Sequence, residues 1–202
     1  MARLHTSFVL GYHGCDRAVG ENVLLGKTGL ARSDKDYDWL GPGVYFWEAD
    51  PQRALEWARE KKGRGALKHP YVIGAVIDLG NCLDLISREN ISLLAQAYDS
   101  FEGMFKKGHL DKLPENTKTK DKVLRYLDCA VIKHLHTMAE ESDEMEAFDT
   151  VRGLFSEGED AFRGSGFKAK THIQIAVCND RSLKGFFRVP DFEGIEKCLP
   201  RA

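Results

Sequence analysis

The sequence predicts an α+β protein in which a split mixed β-sheet is surrounded by helices. Two observations support this prediction. Short apolar runs that suit strands recur along the chain, and segments with apolar residues at helical spacing separate them. The chain has 202 residues, of which 43% are hydrophobic and 30% charged. This length and composition fit a single globular domain over residues 1–202.

Strands are predicted where strand-forming residues gather in short apolar runs. In chain order these runs are 6–12, 44–47, 71–79 and 171–178. The run 71–79 is almost unbroken, which indicates a central strand buried on both faces. The segment 183–189 follows the last run after turn-forming residues at 179–182, so we expect it to be the hairpin partner of that strand.

Helices are predicted where apolar residues recur every three or four positions. The predicted helices are a short one before residue 30, one that begins at Asp50 and Pro51, and two at 87–106 and 120–139. Asp50 can cap the second helix, and Pro51 suits its first turn. The last two helices form a predicted helical insertion at about 85–145. The Gly-rich stretch 152–169 is predicted to be a long loop, which in a compact domain is often functional.

Charge and cysteine content narrow the function classes. The formal net charge is -2, which gives no bulk attraction to nucleic acid or to an anionic membrane. The five cysteines include no C-x-x-C pair, which indicates a reducing compartment and no zinc knuckle. His134 and His136 lie two apart on a predicted helix, so they point apart and predict no metal site. With no signal peptide and no apolar run long enough for a membrane span, we expect a cytoplasmic protein.

Several polar and aromatic groups suit recognition of NAD at its nicotinamide end. Gly14 follows a strand and could offer a backbone donor and acceptor to a carboxamide. His13 could bind ribose hydroxyls. Tyr45 and Trp57 could form an aromatic wall for the cationic ring. Gln174 could orient the ribose from which nicotinamide departs, a step that resembles glycoside cleavage.

The motifs around these residues resemble the ADP-ribosyltransferase superfamily, on the side of diphtheria toxin and the poly(ADP-ribose) polymerases. Members carry a His-Tyr-Glu triad on three strands. His13-Gly14 resembles the histidine motif, 43–46 resembles the Gly-Ile-Tyr-Phe strand with Tyr45 as the tyrosine, and 174–177 resembles the glutamate strand. The resemblance covers about a third of the chain. It implies a catalytic set of His13, Tyr45 and Gln174.

The resemblance further implies that His13, Gly14, Ser33, Tyr45 and Trp57 bind NAD, with NAD as substrate rather than resident cofactor. It implies mono-ADP-ribosyl transfer to a macromolecular acceptor (protein, RNA or DNA) with release of nicotinamide. Small bacterial members are often toxins or phage-defence effectors, so an antitoxin or another protein partner is a further expectation.

The main departure from the family is Gln174, which stands where the family has glutamate. Glutamine keeps an acceptor for the ribose hydroxyl but lacks the charge that faces an oxocarbenium ion. This leaves open an NAD glycohydrolase and an inactive module that binds NAD or ADP-ribose. Glu157 or Glu159, in the preceding loop, could restore a carboxylate. An RNA 2′-phosphotransferase of the same fold is a further alternative, although no basic cluster is visible in the sequence.

Structural roles remain open for the same residues. His13 could bind a nearby carbonyl, Tyr45 could be a core tyrosine, and Gln174 could be a buried amide that ties strands together. His172 lies on the same face of its strand as Gln174 and could contact the acceptor or serve the structure.

Overall fold

The computed structural model describes residues 8–108, 112–117 and 124–190. Within these residues the chain forms seven strands and four α-helices, which confirms the predicted α+β class. In chain order the elements are β1 (Phe8–Asp16), α1 (Arg17–Leu24), β2 (Val44–Glu48), α2 (Pro51–Gly63), β3 (Pro70–Asp78), β4 (Cys82–Asp84), α3 (Arg88–Lys106), α4 (Tyr126–Glu141), β5 (Thr150–Phe155), β6 (His172–Val177) and β7 (Leu183–Arg188).

The seven strands form one sheet in the order β4-β5-β6-β2-β1-β3-β7. Neighbouring strands are antiparallel except β4 and β5, which are parallel. The predicted mixed sheet is therefore confirmed.

The join between β1 and β2 is much shorter than the other central joins. These strands pair only at Gly11 with Glu48 and at Tyr12 with Trp47. On its other side β1 pairs with β3 at nine positions, from Phe8 to Asp16. The sheet therefore consists of two halves, β4-β5-β6-β2 and β1-β3-β7, joined at one end and parted beyond Tyr12 and Trp47. We call this opening the β1–β2 cleft.

Two layers of helix cover the sheet. Helices α2, α3 and α4 pack on one face, which we call the α2 face. Their core contacts there are Ala54 and Leu55 against Trp47 and Val72, and Ile132 and Leu135 in the cluster that includes Val151. On the other face α1 lies against β3, and strand residues form a separate buried cluster. That cluster comprises Val44, Phe46, Ala75, Ile77, Ile175 and Val177.

The helix boundaries follow local chemistry. Asp50 caps α2, since its Oδ1 accepts a hydrogen bond from the backbone N–H of Arg53 at 2.8 Å, and Pro51 occupies the first turn as predicted. Helix α3 lies within one residue of the predicted 87–106. Helix α4 ends at Glu141, and positions 120–123 of its predicted start lie outside the described residues. Within the described part of 85–145 the helices are α3 and α4, and both pack on the sheet.

The predicted hairpin of β6 and β7 is wrong. Strand β6 lies between β2 and β5, so both of its edges are occupied, and β7 pairs instead with β3 at the far end of the sheet. Strand β5 falls partly in the region predicted to be a loop. It was not recognised because Arg152 and Gly153 interrupt its apolar residues. Arg152 is tolerated there because Glu48 binds its guanidinium at 2.6 and 2.9 Å and Asp84 binds it at 3.1 Å.

The packing of α4 on the sheet can be tested at Leu135, which is fully buried. We expect Leu135→Ala to lower the free energy of unfolding by about 2–5 kcal/mol, because it leaves a cavity between α4 and the sheet. The measurement is urea denaturation followed by circular dichroism. Thr137→Ala, at an exposed position of the same helix, is the matched control and should change stability little. Equal losses in both variants would contradict this packing.

Candidate functional site

The hydrogen-bonded ladder between β1 and β2 stops at Tyr12 and Trp47, although β1 continues to Asp16 and β2 begins at Val44. The carbonyl of Leu10 accepts from the N–H of Ala49 at 2.9 Å, and Tyr12 pairs with Trp47. Because backbone groups alternate in direction along a strand, positions 10, 12 and 14 all direct their N–H and C=O toward β2. The next pair in this series would be Gly14 with Tyr45.

The imidazole of His13 occupies the place of that missing pair. Its Nδ1 lies 2.7 Å from the backbone carbonyl of Tyr45. A carbonyl only accepts, so Nδ1 carries the proton. Burial lowers the pKa of His13, with the hydrogen bond to Tyr45 opposing this in part, so the ring is neutral at pH 7 and Nε2 holds a lone pair. The ring also contacts Phe46, with centroids 5.6 Å apart.

Gly14 is left with backbone groups that face the cleft. The carbonyl that its N–H would have bound in a continued ladder is taken by His13. A Cβ at position 14 would collide with the backbone carbonyl of Ala54 in α2, so only glycine allows this approach of helix and strand. Strand alternation directs the N–H and C=O of Gly14 toward β2, where no β2 residue is paired with this buried glycine, and their role toward a carboxamide stays a prediction.

The side chain of Tyr45 turns away from His13. By strand alternation it lies on the α2 face, whereas His13 lies on the other face with Phe46. The Tyr45 hydroxyl donates to the carbonyl of Gly41 at 2.8 Å and accepts from the N–H of Leu40 at 3.1 Å. Burial raises the pKa of Tyr45, so the phenol stays protonated. These contacts suit a core tyrosine that fixes the turn before β2.

Gln174 forms the middle of a chain of hydrogen bonds on the α2 face. Its Oε1 accepts from the indole N–H of Trp39 at 2.9 Å, and its Nε2 lies 3.0 Å from Nε2 of His172. His172 Nδ1 lies 2.7 Å from the carbonyl of Lys170. An indole only donates and a carbonyl only accepts, so both the amide orientation and the Nδ1-protonated form of His172 are fixed by their partners.

This chain of hydrogen bonds requires His172 to be neutral. The residue is 6% exposed, and burial lowers its pKa. Its Nε2 must be an acceptor because the Gln174 amide donates to it. The sequence left the role of His172 open, and in the structure it holds Gln174.

Aromatic and charged groups surround this chain. Trp57 on α2 contacts Trp47, with centroids 5.6 Å apart, and the ammonium of Lys61 lies 5.1 Å from the Trp57 ring centre. Trp47 is adjacent to His172, at 6.4 Å between centroids. Glu157 accepts a hydrogen bond from Nη2 of the buried Arg53 at 3.0 Å. Of the two loop glutamates that the sequence analysis considered, Glu157 lies near His172, whereas Glu159 is exposed.

Ser33 lies on the loop before β2. Its backbone pairs with Gly43, and its hydroxyl donates to Oδ2 of Asp38 at 2.6 Å. These contacts order the loop.

The predicted site residues therefore fall into two groups. His13 and Gly14 lie at the β1–β2 cleft, and Gln174 and Trp57 lie around Trp47, which pairs with Gln174 across β2 and β6. Tyr45 touches the first group only through its backbone. The sequence analysis missed Trp47 and Arg53. Trp47 could have been found, since it lies two positions from Tyr45 and so on the same face of the strand.

The described residues contain neither a metal-binding cluster nor a membrane-spanning helix. Residues 8–108, 112–117 and 124–190 hold no group of three His, Cys, Asp or Glu side chains that could bind a metal ion. None of the helices described in these ranges is long and apolar enough to cross a membrane.

Comparison with known proteins gives one match to report. The chain is 28% identical over 193 residues to the uncharacterized protein MJ0359 of Methanocaldococcus jannaschii, a match that spans 86% of this chain and 83% of the relative. No family model matches the chain. No solved structure matches it either.

Replacing Gln174 with glutamate should make stability depend on the protonation of His172. Gln174→Glu places two acceptors face to face unless His172 gains a proton on Nε2. We expect the variant to lose about 1–3 kcal/mol of unfolding free energy at pH 8, and this deficit to shrink toward pH 5.5 as an imidazolium–carboxylate pair forms.

Urea denaturation at both pH values measures this effect. Gln96→Glu, an exposed position on α3, is the matched control. A Gln174→Glu deficit that is the same at pH 8 and pH 5.5 would contradict the hydrogen-bond chain.

His13 should be neutral and protonated on Nδ1 at pH 7. We expect a titration midpoint below 6.5, because burial lowers its pKa. The unfolded chain then takes up a proton first, and the free energy of unfolding decreases as pH falls from 7 through the lowered pKa. Imidazole ¹⁵N NMR, assigned with His13→Gln, measures both properties. A midpoint at or above 6.5 would contradict the burial of the ring, and a neutral ring with its proton on Nε2 would show that the bond to Tyr45 does not form.

Proposed function

We propose that the protein binds NAD at the β1–β2 cleft and transfers its ADP-ribose to a macromolecular acceptor, with release of nicotinamide. The observation that carries this proposal is that the Tyr45 carbonyl accepts a hydrogen bond from the His13 ring, in the place where a continued ladder would have the N–H of Gly14. In this proposal the N–H and C=O of Gly14, which strand alternation directs toward β2, are offered to the ligand. That pair complements a carboxamide, which has one acceptor oxygen and an NH₂ donor.

The neutral His13 suits a role beside the carboxamide site. Its Nδ1 is occupied by Tyr45, which fixes the ring, and its Nε2 is an acceptor that a ribose hydroxyl can donate to. His13 is partly exposed, so a ligand in the cleft can reach it. In this proposal His13 and Gly14 hold the two ends of the nicotinamide riboside.

The aromatic residues would form the wall of the ring site. Trp57 lies on α2, the helix against which Gly14 packs, and its ring is partly exposed. A cationic pyridinium on an indole face gains about 0.5–2 kcal/mol. Tyr45, by contrast, would contribute by fixing the turn at Leu40 and Gly41 and by presenting its carbonyl to His13.

Gln174 would orient the ribose only after exchanging one of its present partners. Both of its polar atoms are bound, to Trp39 and to His172. Glu157, held by Arg53 beside His172, is the nearby carboxylate that could support an oxocarbenium ion. In this proposal Gln174 and Glu157 together perform the role that a single glutamate has in the family that the sequence resembles.

A second candidate function is a module that binds NAD or ADP-ribose without cleaving it. The satisfied, uncharged Gln174 is the observation that favours it. An NAD glycohydrolase is the third outcome of the same assay, since water would then capture the sugar.

The test is incubation of the pure protein with NAD labelled in the adenylate, together with protein, RNA and DNA acceptors. We expect nicotinamide release and label on one acceptor, and we expect His13→Ala to lower both at least about tenfold, because it removes the ring that keeps Gly14 free. His134→Ala, on α4 and bonded to Ser100, is the matched control.

The outcomes separate the candidate functions. Nicotinamide release without label transfer indicates the glycohydrolase, and NAD binding without release indicates the module. No binding of NAD or of ADP-ribose by calorimetry would rule out all three. Gly14→Ala is not a useful variant, because its collision with Ala54 would displace α2.

A further inference from the structure

Three buried hydrogen-bond donors cluster on the α2 face without an acceptor. They are the indole N–H of Trp47 and the Nε and Nη1 groups of Arg53, which have no hydrogen-bond partner among the residues that the structure describes. Trp47 is 4% exposed, and the Arg53 side chain is 8% exposed. A buried donor left without a partner is unfavourable by about 1–3 kcal/mol, so a group of three calls for an acceptor that binds there.

The guanidinium of Arg53 is only partly matched by carboxylates. Its Nη2 donates to Glu157 at 3.0 Å. The nearest Glu60 oxygen lies 3.6 Å from Nη1, beyond a good hydrogen bond, and Glu60 is 42% exposed and shared with Lys170. Glu56 lies further away still, at 4.0 Å from Nη1. Of these three carboxylates only Glu157 is hydrogen-bonded to Arg53, and the Nε and Nη1 groups have no acceptor.

The position of these donors is beside the proposed cleft. Trp47 marks the end of the β1–β2 ladder. It pairs with Tyr12, whereas residues 44–46 of β2 have no partner in β1. Arg53 lies in the first turn of α2, and its guanidinium carbon is 6.0 Å from the Trp47 ring centre. The donors thus lie where β2, α2 and the loop that carries Glu157 meet, since Glu157 is hydrogen-bonded to the same guanidinium.

The chemistry of the donors selects the ligand. The neighbouring acceptors are already used, since His172 Nε2 binds Gln174 and Gln174 Oε1 binds Trp39. A guanidinium and an indole N–H together suit a group with several oxygen lone pairs and negative charge. We propose that Arg53 and Trp47 form a binding site for a phosphate group, and that Glu157 occupies part of this site when no phosphate is present.

Glu157 links this site to the loop between β5 and β6. Its carbonyl accepts from the N–H of Lys170 at 3.0 Å, so it closes the base of that loop. A phosphate that takes over Arg53 releases the Glu157 carboxylate beside His172. The site does not require that NAD be the substrate, because a dinucleotide phosphate and a free phosphate share this chemistry.

The experiment follows the indole N–H signals in ¹H–¹⁵N NMR spectra. The protein has three tryptophans, and Trp47→Phe assigns the signal of Trp47. We expect inorganic phosphate or pyrophosphate to shift the Trp47 signal downfield with saturation, because the N–H gains an acceptor. Chloride at equal ionic strength is the control for screening.

Variants of the charged pair give the sharper test. We expect Arg53→Gln to weaken phosphate binding more than about tenfold, and Glu157→Gln to tighten it severalfold because the competing carboxylate is gone. Lys62→Gln, at an exposed position of α2, is the matched control and should leave it unchanged. If Arg53→Gln fails to fold, Glu157→Gln decides alone. No saturable shift in the natural protein, or Glu157→Gln binding no tighter than the natural protein, overturns the proposal.

A separate titration with NAD distinguishes the source of the phosphate. Competition between NAD and inorganic phosphate at Trp47 assigns the site to the dinucleotide. Phosphate binding without NAD binding supports the phosphate site while the proposed transferase activity fails, so the two proposals are separable.

Discussion

The hydrogen bond from His13 to the Tyr45 carbonyl is the interaction on which the candidate site depends. A sheet normally consumes every backbone donor and acceptor between neighbouring strands, which leaves nothing for a ligand. Here a side chain satisfies the carbonyl of β2 and releases the backbone of β1 at Gly14. The early end of the β1–β2 ladder is therefore part of the folded state. A neutral imidazole suits this role, since it donates through one nitrogen and keeps the other as an acceptor.

A second constraint is that the hydrogen-bond chain through Gln174 is made of uncharged donors and acceptors. The row from Trp39 through Gln174 and His172 to Lys170 has one donor and one acceptor at each contact. Such a chain is stable in a buried setting because no group is left unpaired. Glutamate at 174 would disrupt it unless His172 were charged. Gln174, which stands where the family that the sequence resembles has glutamate, is thus matched by the neutral, buried His172.

The sequence predicted the features that local chemistry controls. The cap at Asp50, the helix 87–106 and the strand around 71–79 each follow from spacing or capping over a few residues, and the structure confirms them. The α+β class followed from the same patterns. The roles assigned to His13, Gly14 and Gln174 remain predictions, although the structure gives each residue a defined set of contacts.

Long-range pairing was beyond the sequence. Strand β5 was hidden because Arg152 interrupts its apolar residues, and its ion pairs with Glu48 and Asp84 come from strands distant in the chain. The position of β7 depends on which sheet edge is free, and no local pattern encodes that. Arg53 was likewise missed, since its burial follows from the loop that brings Glu157 over α2.

The short link between β6 and β7 has a mechanical consequence. Four strand spacings separate β6 from β7 in the sheet order, about 19 Å if the sheet were flat. The link holds only residues 178–182, three of them in a compact 3₁₀ turn that rises about 2 Å per residue. The sheet must therefore curl until the linked ends of β6 and β7 approach each other, as the shared burial cluster of Val177 and Leu183 indicates. This link joins a strand of the β4-β5-β6-β2 half directly to a strand of the β1-β3-β7 half, so the two halves are connected at the β6–β7 link as well as at the β1–β2 ladder.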